Sequence, residues 1–219
     1  MGWPMARNLA QAGIDVVVHD LDPGRAERFV GEFGGRAAHS PADFAGVGVV
    51  VTMLPDGRAV ASALIDWEGG IAASLAAGAV VVDMSSSNPL DTRELGPRLA
   101  ERDVALVDAP VSGGISRADS GELTIMVGGD DEAAIERARP VLEVLGARHF
   151  RTGPLGSGHA MKALNNYCGA AAYTCTAEAL AIGQRFGLSG EVMLGVLNTS
   201  TGRSFNTEIV FKDEVVPGR

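Results

Sequence analysis

Ala79-Val80-Val81-Val82-Asp83-Met84 is apolar until a single acid near its end. A strand with one wet face alternates apolar and polar residues; a continuous valine run belongs to a strand covered on both faces. Similar runs flank it: Asp15 to Asp20 (DVVVHD), Val47 to Met53 (VGVVVTM), Val104 to Asp108 (VALVD) and Leu123 to Val127 (LTIMV). Helical patterns lie between them, at Pro4 to Ala12, Pro23 to Phe33, Pro89 to Glu101 and Asp131 to Leu145. The second opens with proline in its first turn and stops before Gly34 and Gly35, the usual placement of both residue types. Alternating strands and helices predict an α/β fold. The sheet is mainly parallel and Rossmann-like, with helices on both faces and right-handed crossovers.

The pattern changes near residue 153. Gly153-Pro154-Leu155-Gly156-Ser157-Gly158 reads as a hinge. Beyond it Met161, Leu164, Cys168, Ala171, Cys175, Ala179, Ile182 and Phe186 recur at spacings of three and four. They form one stripe on a helix of about 29 residues, roughly 43 Å long, with Gly187 as its C-cap. That is too long for a crossover helix and predicts an all-helical second domain. A helix over Gly190 to Leu197 and another from about Arg203 follow. The boundaries are therefore 1–153 for the α/β domain and 154–219 for a partial helical one.

The 219 residues carry 18 Lys plus Arg against 27 Asp plus Glu, a formal charge of −9. Such a field repels phosphate, which argues against nucleic acid or an anionic membrane as partner. With 46% apolar and 21% charged residues the chain is globular rather than disordered. No run is long and apolar enough for a membrane helix, and the first residues lack the features of a secretion signal. Cys168 and Cys175 sit seven apart on the expected helix, roughly 10 Å from each other, too far for a disulfide. Free thiols suit a reducing, cytoplasmic setting.

Three groups of residues suggest chemistry. Gly2 precedes a helix, and Asp20 closes the next strand eighteen residues later. That is near the spacing between a dinucleotide-binding glycine turn and the acid that binds the ribose. Leu21 follows Asp20, so no cation waits there for a 2′-phosphate, and NAD is favoured over NADP. A complete unit of this kind needs a strand and two more glycines before Gly2, where the sequence has only Met1. The first strand is thus expected to be missing, Met1 to be an interior methionine, and the helical domain to be incomplete. The second group, Asp108-Ala109-Pro110-Val111-Ser112-Gly113-Gly114, follows a strand at its carboxyl end. One hydroxyl and two unshielded N–H groups there could hold a carboxylate. The third is Lys162 with Asn165 and Asn166; Lys162 and Asn166 share a helix face. Each group also has a plainer reading: a surface Asp in an ordinary βαβ unit, a glycine turn, a solvated lysine. Histidine contributes by absence. No carboxylate–histidine constellation is apparent, His159 reads as a solvated loop residue, and no zinc motif is present.

Together these residues resemble the β-hydroxyacid dehydrogenase family, most closely its branch acting on 3-hydroxyisobutyrate. Gly2-Trp3-Pro4-Met5-Ala6 resembles the end of the family's glycine-rich signature. Met53-Leu54-Pro55 resembles the loop near the nicotinamide, and Asp83-Met84-Ser85-Ser86 a cofactor-contacting strand end. DAPVSGG resembles the substrate-carboxylate loop. Gly156-Ser157-Gly158 with Lys162-Ala163-Leu164-Asn165-Asn166 resembles the G-x-G-x-x-x-K-x-x-N-N catalytic signature. The resemblance implies hydride transfer between NAD(P) and a short 3-hydroxy acid, with Lys162 and Asn166 catalytic and Ser112, Gly113, Gly114 and Asn165 on the substrate. Gly2, Asp20, Leu54, Pro55 and Ser86 fall on the cofactor. It further implies a homo-oligomer formed through the helical domain. Tartronate or succinic semialdehyde reductases of the same superfamily are the alternative, as is a non-catalytic relative or inactive fragment. 6-Phosphogluconate dehydrogenases carry histidine where this chain has Asn165.

Overall fold

The computed structural model describes residues 1–215, which fall into two compact units divided after Lys162. The first unit begins with α1 (Gly2–Gln11), β1 (Val17–Val18), α2 (Pro23–Phe33) and β2 (Arg36–Ala37). It continues through β3 (Val49–Thr52), α3 (Gly57–Ala61), β4 (Val80–Asp83), α4 (Pro89–Ala100) and β5 (Ala105–Asp108). It closes with β6 (Val111–Ser112), α5 (Gly114–Ser120), β7 (Leu123–Gly128), α6 (Glu132–Leu145), β8 (Gly146–Gly153) and the start of α7 (Ser157–Arg185). Helix starts follow local chemistry. Asp22, Asn88 and Asp131 each accept a first-turn N–H through the side chain, and Pro23 and Pro89 occupy positions that need no N–H.

The sheet is Rossmann-like but lies in two pieces. β1 and β2 form a parallel pair of their own, Val17 opposite Arg36 and Val18 opposite Ala37. The larger sheet runs β3-β4-β5-β7-β6, with β8 also on β7. β3, β4 and β5 are parallel and in step, so that Thr52, Asp83 and Asp108 end their strands side by side. β7 then runs antiparallel to β5 and β6, and parallel to β8. Val80, Val81 and Val82 are wholly buried, as a strand covered on both faces requires. On one face they meet Val107, Ile125 and Leu145, and on the other Leu64, Leu95 and Leu99.

Three features depart from the sequence reading. Only Val17–Val18 of the run Asp15 to Asp20 is strand, because its partner β2 offers two residues of ladder. β8 is unforeseen. GARHFRTG is polar, largely exposed and without a valine run, since it sits at the edge of β7. The β5–β7 pairing is antiparallel, which no valine count reveals.

In the second unit, α7 is followed by α8 (Gly190–Asn198) and a π-wound segment, Asn206–Val215. α7 has the expected 29 residues. The stripe from Met161 to Phe186 lies outward, with Leu164, Ile182 and Phe186 exposed. Packing within the unit uses the neighbouring stripe Gly169, Tyr173, Thr176, Leu180 and Gly183. Gly169 accepts a bond from Asn206, Tyr173 packs on Phe211 with the rings tilted by 40° at 4.8 Å, and a Cβ at Gly183 would strike Met193. Small residues on that face let the helices approach closely. Both cysteines are free and exposed. Among the described residues no helix is long and apolar enough to cross a membrane.

Candidate functional site

Thr52, Asp83 and Asp108 form a polar row where β3, β4 and β5 end, the edge at which open α/β sheets bind ligands. All three are buried, so each needs partners. The Thr52 hydroxyl donates to Asp83 Oδ1 at 2.8 Å. The Ser85 N–H donates to the same oxygen at 3.0 Å, and the Ser87 hydroxyl to Oδ2 at 2.7 Å. Ser85 Oγ in turn accepts the Leu54 N–H at 3.0 Å, which ties the turn after β3 to the turn after β4. Leu54 is half-buried, whereas Pro55 and Ser86 are exposed on these two turns, open to a ligand.

Asp108 has a different task. Its Oδ1 accepts the Gly156 N–H at 2.8 Å and its Oδ2 the His159 N–H at 2.9 Å. A carboxylate from β5 thereby caps the first turn of α7, where the helix dipole favours negative charge. The glycines of the hinge serve this approach. Gly156 has φ +85°, a Cβ on Gly158 would run into the Met126 carbonyl, and one on Gly128 would strike the Asp108 carboxylate.

Lys162 stands one turn further along α7, half-buried, and burial lowers its amine below the ordinary lysine value. Lysine occurs only at 162 and 212 in the whole sequence, the other basic residues being arginine. Arginine cannot give up its proton near neutral pH, so few side chains could serve as a base, and Lys162 is the lysine at the capped start of α7. Asn165 and Asn166 follow on α7, exposed, within the second unit.

His159 corrects the sequence reading. It is no solvated loop residue but a fully buried member of α7, 1% exposed. Its Nδ1 lies 2.8 Å from Thr92 Oγ1, its Nε2 3.6 Å from Asp83 Oδ2, and its Nδ1 3.8 Å from Asp108 Oδ2. A carboxylate–histidine cluster therefore exists where the sequence suggested none. Asp108, Thr92 and Asp83 precede His159 by 51, 67 and 76 residues, so only the fold unites them with the ring. The readable signal was His159 three residues before Lys162 on one helix.

The remaining expected residues lie elsewhere. Ser112 is on β6, opposite Thr124, and Gly113 and Gly114 open α5 with φ of +137° and +66°. Asp20 follows β1, outside the larger sheet. It accepts the Asp22 N–H at 3.0 Å and faces Arg25 at 3.4 Å, and its side chain stays 40% exposed. Gly2 opens α1, whose first turn has no side-chain cap and no acid, leaving its N–H groups free for an anion. These features fit a dinucleotide: unshielded helix N–H groups for phosphate and an exposed acid for ribose hydroxyls. Among the described residues no cluster could hold a metal ion.

A mixed Rossmann-like sheet with such an edge is the architecture of a dinucleotide-binding domain. The profile described as the NAD binding domain of 6-phosphogluconate dehydrogenase matches residues 1–153. That described as NAD-binding of NADP-dependent 3-hydroxyisobutyrate dehydrogenase matches 156–219. An NAD-dependent L-serine dehydrogenase of Pseudomonas aeruginosa is 39% identical over 95% of this chain and 70% of its own. Mitochondrial 3-hydroxyisobutyrate dehydrogenase of Bos taurus is 34% identical over 95% of this chain and 61% of its own. The solved 3-hydroxyisobutyrate dehydrogenase of Mycobacterium tuberculosis with L-serine superposes with a TM-score of 0.85 at 33% identity. That match covers 94% of this chain and 69% of the other. The chain belongs to the β-hydroxyacid dehydrogenase family of NAD(P)-dependent oxidoreductases, and it spans about two thirds of the length of these relatives.

Proposed function

We propose that the protein interconverts a 2-substituted 3-hydroxypropanoate and its semialdehyde with NAD, NADP being the weaker cofactor. The observation that carries this reading is Lys162: a half-buried amine with a lowered pKa, one turn from the carboxylate-capped start of α7. 3-Hydroxyisobutyrate, L-serine and 2-(hydroxymethyl)glutarate, named for relatives at 34 to 39% identity, share the unit HO–CH2–CH(X)–COO⁻. They differ only in X, which is methyl, ammonium or carboxyethyl.

When bound, the nicotinamide would supply the hydride acceptor for the carbinol carbon; in oxidation the neutral Lys162 amine takes the hydroxyl proton. In reduction the Lys162 ammonium polarises the carbonyl and returns the proton. Asn166 orients the substrate oxygen or the lysine. Ser112 and the N–H groups of Gly113 and Gly114 take the carboxylate, with Asn165 beside it. Gly2 would hold the pyrophosphate and Asp20 the ribose, and Leu54, Pro55 and Ser86 the nicotinamide end. The division into a nucleotide domain, 1–153, and a helical domain, 154–219, belongs to the same reading. So do a cytoplasmic setting, supported by the two free thiols, and a homo-oligomer built on the exposed stripe of α7. Rates on 3-hydroxyisobutyrate, L-serine, 2-(hydroxymethyl)glutarate, and the tartronate and succinic semialdehydes, each with both cofactors, test the proposal. Turnover of the semialdehydes alone would move the protein to the reductases, and none on any would refute it.

A further inference from the structure

The mechanism leaves one buried titratable side chain without a task. His159 Nε2 is buried and has no hydrogen-bond partner among the described residues. Asp83 Oδ2, on β4, lies 3.6 Å from it. On the other side of the ring lie Thr92 of α4, bonded to Nδ1, and Asp108 of β5, at 3.8 Å. Side chains of both acids are at most 3% exposed, so neither charge is relieved by water. A bare imidazole lone pair aimed at a buried carboxylate repels it. The Thr92 hydroxyl has two acceptors in reach, Nδ1 and the Asn88 carbonyl at 3.1 Å; when it donates to Nδ1, the hydrogen of the neutral ring sits on Nε2, toward Asp83. The backbone N–H of the same residue is already bound by Asp108. His159 thus ties the first turn of α7 to β5 and α4 by hydrogen bonds and sets its ring beside Asp83 of β4, and Lys162 lies three residues on, along the same side of the helix.

We propose that His159 is a positioning residue for Lys162: its ring, set between Asp83 and Asp108 and held by Thr92, fixes the turn from which the lysine amine reaches the substrate oxygen. This rests on Lys162 as the proton-transfer group. A ring that merely filled space would be replaceable by an apolar side chain of similar size. A ring that positions through its N–H groups would be replaceable only by another donor. Glutamine can keep an N–H toward Asp83; leucine cannot.

The test compares His159→Leu and His159→Gln in the protein labelled with isotope-enriched lysine. With lysine only at 162 and 212, two side-chain signals report directly on each titration. His159→Leu is expected to lower kcat by about 10- to 100-fold, the cost of misplacing a catalytic group by an ångström. KM and NADH affinity stay within about twofold. The Lys162 titration moves, while that of Lys212 does not. His159→Gln is expected to restore both kcat and the titration. Should His159→Leu fail to fold, Thr92→Val removes the bond to Nδ1 and should shift the Lys162 titration in the same direction. An unchanged Lys162 titration and kcat in a folded His159→Leu, with only the melting temperature reduced, would overturn the proposal. So would a His159→Gln as impaired as the leucine variant. The two ideas fail separately. If Lys162→Ala keeps full turnover, the proton-transfer reading falls, and the lysine signals still show whether His159 sets that side chain.

Discussion

Asp108 and His159 are 51 residues apart, yet the Asp108 carboxylate accepts the His159 backbone N–H at 2.9 Å and stands 3.8 Å from its ring. One acid at the end of β5 thus caps the helix that carries Lys162 and flanks the ring buried beneath it. Most of the expected behaviour of the site follows from that junction.

Replacing Asp108 with alanine leaves the Gly156 and His159 N–H groups buried without acceptors. Each such group costs about 1–3 kcal/mol, so a loss of at least about 2 kcal/mol is expected in denaturant unfolding. Asp108→Asn keeps one acceptor oxygen and should lose about half as much. Equal losses for the two variants would mean that the carboxylate acts through its charge alone.

Lys162→Ala should reduce kcat by about 10²- to 10⁴-fold while NADH affinity, read by fluorescence titration, stays nearly unchanged. A loss below about tenfold would place proton transfer elsewhere.

The pH dependence has a definite sign. Burial lowers the Lys162 amine below 10.5. Oxidation needs the neutral amine, so kcat for the hydroxy acid should rise with pH through that lowered value. Reduction needs the ammonium, so kcat for the semialdehyde should fall through the same value. Stability moves too. Between the folded-state value and 10.5 the unfolded chain binds the extra proton, so stability rises with pH across that window. Lys162→Met should therefore raise the melting temperature at neutral pH, with the gain fading as pH climbs through the window. A gain independent of pH would show that the amine is not the cause.

Asp20 is expected to repel a 2′-phosphate, and Arg25, 3.4 Å away, is held by it. Asp20→Ala removes the repulsion and frees a guanidinium. The ratio of kcat/KM for NAD over NADP should fall by about tenfold, equivalent to about 1.4 kcal/mol. An unchanged ratio would place the ribose elsewhere.

The sequence by itself determined the elements and the chemistry carried on single segments. Valine runs without alternation mark strands covered on both faces, and Val80 to Val82 are buried as that demands. Spacings of three and four set the length of α7, because a helix must keep an apolar side in register with its turns. Lys162 and the glycines before it are local in the chain, so a linear motif exposes them. Which stripe of α7 packs inward was not legible, since glycine, threonine and tyrosine on that face look less apolar than the exposed leucine and isoleucine beside them. Nor was β8, a polar edge strand defined by its partner rather than by its own residues. Above all, the cluster of Asp83, Thr92, Asp108 and His159 was decided by tertiary structure alone. Register aligns the ends of β4 and β5, α4 brings the hydroxyl, and close approach at Gly158 seats the ring among them. Burial and hydrogen bonding between distant segments leave no periodic trace in the sequence, whereas strand and helix patterns do.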